Sequence, residues 1–284
     1  MSIQAFASLC CPLDGGPLQR EERRWHCANG HSFDCASEGY VNLLPVQNKR
    51  SKDPGDSKQM VAARRLFLNA GYYQPIAAAV AQAVLASSSA ARMLTCLDAG
   101  CGEGYYLRQL CEFAQEEQAL ALMGLDISKW AIQVAAKQDK RASWVVASNA
   151  NIPVSSASLD RVLCLFGFPV YAEFARVLKP AGMLIMADPG PGHLRELREL
   201  LYPMLKPAKE ADDGVPVDFK LCAVHSVNYR LVLNSAESIA ALLSMTPHLY
   251  RANAQGRERV AALTRIELEI DVKIRCLQRK TVDA

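Results

Sequence analysis

The residues best equipped for chemistry lie in the run LDAGCGEGYY, residues 97–106. Glycines at 100, 102 and 104 let a chain turn tightly and let a ligand approach the backbone with no Cβ in the way. If the run leaves a strand and opens a helix, the helix N-terminus adds free N–H groups. A glycine-rich turn alone is a weak signal. It gains weight from Asp126 in GLDIS, 22 residues after Gly104, where a carboxylate at the tip of the next strand can accept from both hydroxyls of a ribose. Asp98 before the glycines and Glu103 among them put negative charge where a pyrophosphate would sit. The set therefore suits a nucleoside-bearing cationic ligand better than a dinucleotide.

A second constellation lies near the N-terminus: Cys11 and Asp14 in CPLD, then Cys27 and His31 in CANGH. Two ligands on one tight turn and two more about 12–20 residues on is the arrangement that completes a tetrahedral zinc site. Asp14 offers an oxygen where a thiolate would be softer, which weakens the expected affinity. Cys10 and Cys35 are spare donors. The competing expectation is a cysteine-bearing lobe without metal, held by packing.

These groups need elements to position them. Residues 1–35 carry four cysteines and two histidines but no periodic apolar face long enough for a core of their own. QNKRSKDPGDSK reads as a solvated linker, with Asp-Pro-Gly enforcing a turn. Asp56 or Ser57 should cap a helix closed by Gly71, and a second helix should run from Pro75 to about Ala86. Short apolar runs then alternate with helical ones: MLTCLDA, Tyr105 to Gln115, ALALMGLD, Ser128 to Lys140, SWVVAS, DRVLCLF and, after RVLKPAG, GMLIMAD. That alternation predicts an α/β fold with a parallel sheet covered on both faces. From Ile266 to Cys276 apolar and charged residues alternate without a slip, which predicts a long antiparallel strand near the sheet's edge. One or two further strands are expected over residues 218–233, followed by a helix to Leu243 capped by Asn234 with Glu237.

With 284 residues, 50% hydrophobic and 21% charged, the chain is long enough for one domain with an appendage and too apolar to stay disordered. It has no membrane-length apolar run, and MSIQAFASLCC lacks the features of a secretion signal, so a cytoplasmic location is expected. Most of the ten cysteines, among them Cys96, Cys164, Cys222 and Cys276 in strand-like runs, are then expected to be reduced core thiols. The net charge of +3 is spread evenly. Its one concentration is residues 41–75, where Lys49, Arg50, Lys52, Lys58, Arg64 and Arg65 face only Asp53 and Asp56. Such a segment can serve a phosphate backbone or stand as a solvated loop.

LDAGCGEG resembles the first motif of the class I S-adenosylmethionine-dependent methyltransferases, and RVLKPAG the turn before their fifth strand. CPL…C…H, FDCASEGYVNLLPVQNKRSKDPGDSKQM, ARRLFLNAGYYQP, PGPGHLREL and MTPHLYR, in that order, resemble the bacterial 23S ribosomal RNA (guanine-N1) methyltransferases of the RlmA type over nearly the whole chain. The resemblance implies a Rossmann-like, mostly parallel seven-stranded sheet with an antiparallel strand and a small zinc-ribbon-like N-terminal domain. It divides the chain into residues 1–45, an RNA-recognition lobe; 46–75, a basic linker and helix; and 76–284, the methyltransferase domain. It implies methylation of a loop guanine of hairpin 35 (the nucleotide-745 type), with Asp126 on the ribose and Ser148 and Asn149 near the adenine. Tyr73 and His193 would line the cofactor pocket with Gly102 and Glu103, zinc would sit on the N-terminal four, and the chain would form a homodimer. Asp14 departs from the family, many of whose members have a cysteine there.

Guanine N1 carries a proton that must leave during or after attack, and Glu38, Asp188 and His193 are candidates to take it, although no motif identifies the base. Two rival functions keep the fold: methylation of a small molecule or protein, and a non-catalytic RNA-binding protein. The N-terminal lobe and basic segment argue against the first, and the intact glycine motif with Asp126 against the second.

Overall fold

The computed structural model describes residues 2–48, 51, 53–86, 93–115, 118–205 and 214–281. The N-terminal segment opens with β1 (Ser2–Ala5) and continues into a small antiparallel sheet of β2 (Gln19–Glu21), β3 (Arg24–His26) and β4 (Ser32–Asp34) before β5 (Val41–Asn42). Two helices follow, α1 (Lys58–Asn69) and α2 (Gln74–Leu85). Then come β6 (Leu94–Ala99), α3 (Tyr105–Phe113), β7 (Ala119–Asp126), α4 (Lys129–Gln138), β8 (Ser143–Val146), β9 (Leu159–Leu165), α5 (Tyr171–Val177) and β10 (Leu178–Pro189). The chain closes with α6 (Arg195–Leu201), β11 (Phe219–Leu233), α7 (Ala236–Ser244), α8 (His248–Arg251), α9 (Ala254–Ala261) and β12 (Ile266–Arg279).

The main sheet runs β11-β12-β10-β9-β6-β7-β8-β5, with β12 antiparallel to both its neighbours. This is the class I methyltransferase order. Two short strands enlarge the expected seven: β5 pairs with β8, and β1 pairs with β7 through Ile3↔Leu120. The strand order reverses between β6 and β9, and the carboxyl ends of strands on either side of such a switch leave a crevice for a ligand.

Alternate residues of the central strands feed two buried clusters, as a pleated strand must. Leu120, Leu122 and Val146 pack with helices α1, α2, α3 and α4 on one face. Ala121, Met123 and Val145 pack with Phe174 and Val177 of α5 on the other. Phe6, Leu9, Leu18 and Trp25 of the N-terminal lobe join that second cluster. The lobe therefore covers a sheet face that α5 alone would leave wet, which answers how a segment without its own core holds together.

Several local expectations change. Ser235, not Asn234, caps α7, its side chain accepting from the Ser238 N–H. Ser57 takes that role at α1. Residues 219–233 form one strand, on whose outer face Cys222 is exposed, while eight of the other cysteines are buried and all ten are free. Lys49, Arg50 and Lys52 lie outside the described residues. Among the rest of the basic segment, Lys58 sits 4.0 Å over the Trp130 ring and Arg64 is paired with Asp56, so neither is a free phosphate ligand. No helix of the described residues is long and apolar enough to cross a membrane.

Candidate active site and metal centre

β6 ends at Ala99, and the backbone then turns through Gly100, Gly102 and Gly104, all at positive φ, before α3 begins. Gly104 has no room for a Cβ, which would meet the Trp144 ring at 2.5 Å. β7 ends at Asp126, whose two oxygens accept from the backbone N–H groups of Gly102 at 2.9 Å and Ser128 at 2.7 Å. That pair of bonds fixes the carboxylate against the glycine turn. Burial raises its pKa, and the same two N–H groups oppose the rise.

A cavity of about 870 Å³ opens over these residues. Its lining contains Tyr73, Gly100, Gly102, Glu103, Asp126, Ser148, Asn149 and His193, eight of the ten residues expected at a cofactor. Gly104 lies outside the lining, packed on Trp144. Asp98 also lies outside it, buried at 1% exposure with neither oxygen hydrogen-bonded. Burial first, and then the nearby Asp126, push the Asp98 carboxyl up to about 8. Glu103 accepts on one oxygen from Arg108 at 2.8 Å and Gln138 at 2.7 Å, while its other oxygen and Asn149 Oδ1 are buried without partners. Unpaired buried acceptors lose hydration with no return until a donor arrives. Oxygens of this kind, with a carboxylate braced at the tip of β7, fit a ligand that brings ribose hydroxyls, an amino group and positive charge.

His193 reaches the cavity on the PGPGHL loop, where Gly190 and Gly192 approach β12 so closely that a Cβ would meet the carboxylates of Asp271 and Glu269. The Asp271 N–H donates to His193 Nδ1 at 3.3 Å, and Nε2 lies 3.3 Å from the Tyr73 hydroxyl. Burial lowers the His193 pKa to about 4, so the ring is neutral at pH 7. With Nδ1 accepting, the tautomer assigned carries its proton on Nε2, toward Tyr73. Of the other candidate bases, Asp188 lines the cavity with its Oδ2 held by Arg275 at 2.7 Å. Glu38 is elsewhere. It lines a separate cavity of about 210 Å³ between the lobe and the main sheet. There Gln133 at 2.7 Å is the largest cause holding its carboxyl down at about 2.

The cavity also holds residues that the sequence reading did not place there: Asp56, Arg64, Phe166, Phe168, Arg198 and Arg251. The supposed linker is part of the wall, because the Asp56 carbonyl accepts from Ser128 Oγ at 2.7 Å and Arg64 reaches over Gly102. No sequence spacing signals a contact across 72 residues.

In the lobe, Cys11, Asp14, Cys27 and His31 bring one ligand atom each to within 4.8 Å of the others. His31 Nδ1 lies 3.5 Å from Cys11 Sγ, 3.4 Å from Cys27 Sγ and 2.9 Å from Asp14 Oδ2. Zinc bonds of about 2.3 Å to sulfur and about 2.0 Å to nitrogen, at tetrahedral angles, give S–N edges of about 3.5 Å. The donor set therefore fits zinc. The Asp14 carboxyl is held below its ordinary range chiefly by the Gly16 N–H, with Asn29 and Cys27 assisting, which keeps an anionic ligand ready.

The chain matches two family models: the Zn-ribbon model "RlmA, N-terminal" over residues 9–52 and the model "Methyltransferase domain" over residues 97–186. A Bacillus subtilis protein provisionally named as a 23S rRNA (guanine-N(1)-)-methyltransferase, YxjB, is 34% identical over 95% of this chain and 96% of its own. A Micromonospora griseorubida protein with the same provisional name is 33% identical over 90% and 92%. The 23S rRNA (guanine(748)-N(1))-methyltransferase of Streptomyces fradiae is 34% identical over 68% and 67%.

Proposed function

Because the chain belongs to the 23S rRNA (guanine-N(1)-)-methyltransferase family, we propose that it transfers a methyl group from S-adenosylmethionine to N1 of a guanine in 23S rRNA. The observation that carries this reading is Asp126 braced on Gly102 in a cavity of unpaired acceptors, in a chain that matches its relatives lobe and all.

Bound S-adenosylmethionine supplies an electrophilic methyl group on a sulfonium sulfur. Asp126 would take the ribose hydroxyls, Asn149 Oδ1 the adenine amino group, and Glu103 the positive charge of the methionine end, while Asp98, buried behind the lining and raised to about 8, would act on the cofactor only through the turn it supports. The chain's chief task is alignment, because a near-attack geometry supplies roughly 7–11 kcal/mol of the barrier. Tyr73 and His193, locked to each other and to β12, would help fix the cofactor. The proton on guanine N1 needs an acceptor. Glu38 is outside the cavity and both nitrogens of His193 are engaged, which leaves Asp188, whose contacts to Arg275 use only Oδ2. Because N1 lies on the pairing edge, the guanine must be unpaired, as in a loop. Zinc on Cys11, Asp14, Cys27 and His31 would tie β2, β3 and β4 to the start of the lobe. A homodimer belongs to the same reading by resemblance, and light scattering checks it; the cytoplasmic location expected from the sequence goes with ribosomal RNA as the substrate.

The test is incubation of the protein and radiolabelled S-adenosylmethionine with unmodified 23S rRNA, followed by primer extension. Label should enter the RNA and arrest extension at one guanine of hairpin 35, since N1 methylation blocks pairing. The site of arrest separates the 745-type position from the position named for the Streptomyces fradiae relative. Failure to label the RNA overturns the reading.

A further inference from the structure

Two kinds of chemistry share the large cavity, and they come from different elements. Acidic groups sit on the turn after β6 (Glu103), at the ends of β7 and β10 (Asp126 and Asp188) and before α1 (Asp56). Phe166, Gly167 and Phe168 after β9, Arg198 of α6, and His248 and Arg251 of α8 contribute an aromatic and basic portion that cofactor recognition as argued above does not use.

Phe166 is packed between Tyr73 and His193, its ring centroid 6.1 and 6.2 Å from theirs. Phe168 is 89% exposed, a bare ring at the cavity lining. A phenyl ring left in water gains by covering a face, and a planar base covers it best. The basic groups gather around Tyr202, whose hydroxyl lies 2.9 Å from His248 Nδ1. Arg198 donates to the carbonyls of Pro191 at 2.9 Å and His193 at 3.4 Å. Neither Arg198 nor Arg251 has a carboxylate partner among the described residues. Burial lowers the His248 pKa, and the only charges that add to the effect are those same two guanidinium groups. Cations that repel one another with no counter-ion between them form an anion site, and guanidinium suits phosphate.

We propose that this portion of the cavity is the subsite for the target nucleotide, with the base stacked on Phe168 and a phosphate flanking it held by Arg251 and Arg198. The proposal rests on the RNA-methylation reading and says which groups would hold the substrate. A guanine drawn from a loop loses its stacking neighbours, and Phe168 replaces one of them. Its backbone stays at the cavity mouth, where a diester charge meets the two guanidinium groups. A ring and an anion site together select a nucleotide over a free base or a small anion.

Phe168→Ala and Arg251→Ala, in the full-length protein, are compared with wild type in two measurements. The first is kcat/KM on unmodified 23S rRNA transcribed in vitro, and the second is the Kd for S-adenosylhomocysteine. Each substitution should lower kcat/KM tenfold or more and leave that Kd within twofold, while Phe168→Trp restores most of the rate. Arg251→Ala should also reduce the log–log salt dependence of RNA binding by about one unit. Unchanged RNA kinetics in both variants overturns the subsite. So does a loss of S-adenosylhomocysteine affinity in Arg251→Ala, which would place the cofactor's own carboxylate there. If wild type fails to methylate the RNA, the previous reading falls and the subsite is judged by saturation-transfer NMR. A signal from guanosine 5′-monophosphate that exceeds guanosine's and vanishes in Arg251→Ala supports it, and equal signals overturn it.

Discussion

Asp98 has the most telling ionisation in the molecule. Its carboxyl is buried, unpaired and raised to about 8, so between the ordinary carboxylate range and that value the folded chain holds a proton that the unfolded chain has lost. More protons bound in the folded state means that stability falls as pH rises through that window. Thermal melts of the ligand-free protein should therefore show Tm declining from pH 5 to pH 8, and Asp98→Asn should flatten the decline; a Tm that rises over this range contradicts the assignment. Asp126 tests differently, because its hydrogen bonds to a ribose involve a charged acceptor and are worth roughly 1.5–3 kcal/mol. Asp126→Ala should weaken S-adenosylmethionine and S-adenosylhomocysteine by the same factor, about tenfold or more, since the sugar is common to both. Unequal losses measured by calorimetry would remove it from the ribose. Asp188→Asn should lower kcat on RNA with S-adenosylhomocysteine affinity kept, and an unchanged kcat would exclude it as the proton acceptor.

At the scale of elements, the glycine turn has two jobs that different glycines perform. Gly104 lets α3 start against Trp144 of β8 and Ala135 of α4, where an added Cβ would stand 2.5 and 3.2 Å from them. Gly102 faces only the flexible end of Arg64, at 3.3 Å. Both have positive φ, which costs an alanine roughly 1–2 kcal/mol. Gly104→Ala adds overpacking of roughly 1–3 kcal/mol. Its Tm should fall well below that of Gly102→Ala, while Gly102→Ala should be the one that loses cofactor affinity with the fold intact. Equal melting temperatures would show that the packing against Trp144 yields easily. The linker shows the converse of such local logic. Gly55 fits against Ile127 and Ser128 with no space for a Cβ, so a segment whose composition reads as solvated serves as cavity wall.

Over the whole molecule, the lobe is tied to the main sheet at both ends, by β1 on β7 and β5 on β8, while β2, β3 and β4 are held by their own pairing, the four metal donors and the packing of Trp25 and Phe33 on the sheet-face cluster. Chelation, or Cys27→Ser, should therefore deprotect the amides of β2–β4 to hydrogen exchange and leave β1 protected, with S-adenosylhomocysteine still bound. Asp14→Cys should tighten zinc, because thiolate is the softer ligand. Protein purified without chelator that holds under about 0.2 zinc per chain by elemental analysis would mean that packing alone holds the lobe. What the amino-acid sequence determined is what short-range periodicity and covalent type can express. The glycine turn, Asp126 at a strand tip, the period-two run of β12 and the spacing of Cys11, Asp14, Cys27 and His31 are all legible within a few residues of themselves. Which polar neighbour caps a helix, as with Ser235 over Asn234, is decided by backbone geometry that both residues could satisfy. Which exposed strand face carries Cys222, that Glu38 meets Gln133 at the lobe junction, and that Arg64, Phe168 and Arg251 share one cavity with Asp126 were decided only by the tertiary structure. Those contacts join segments tens to hundreds of residues apart, and the packing of the sheet that brings them together leaves no mark on the local pattern.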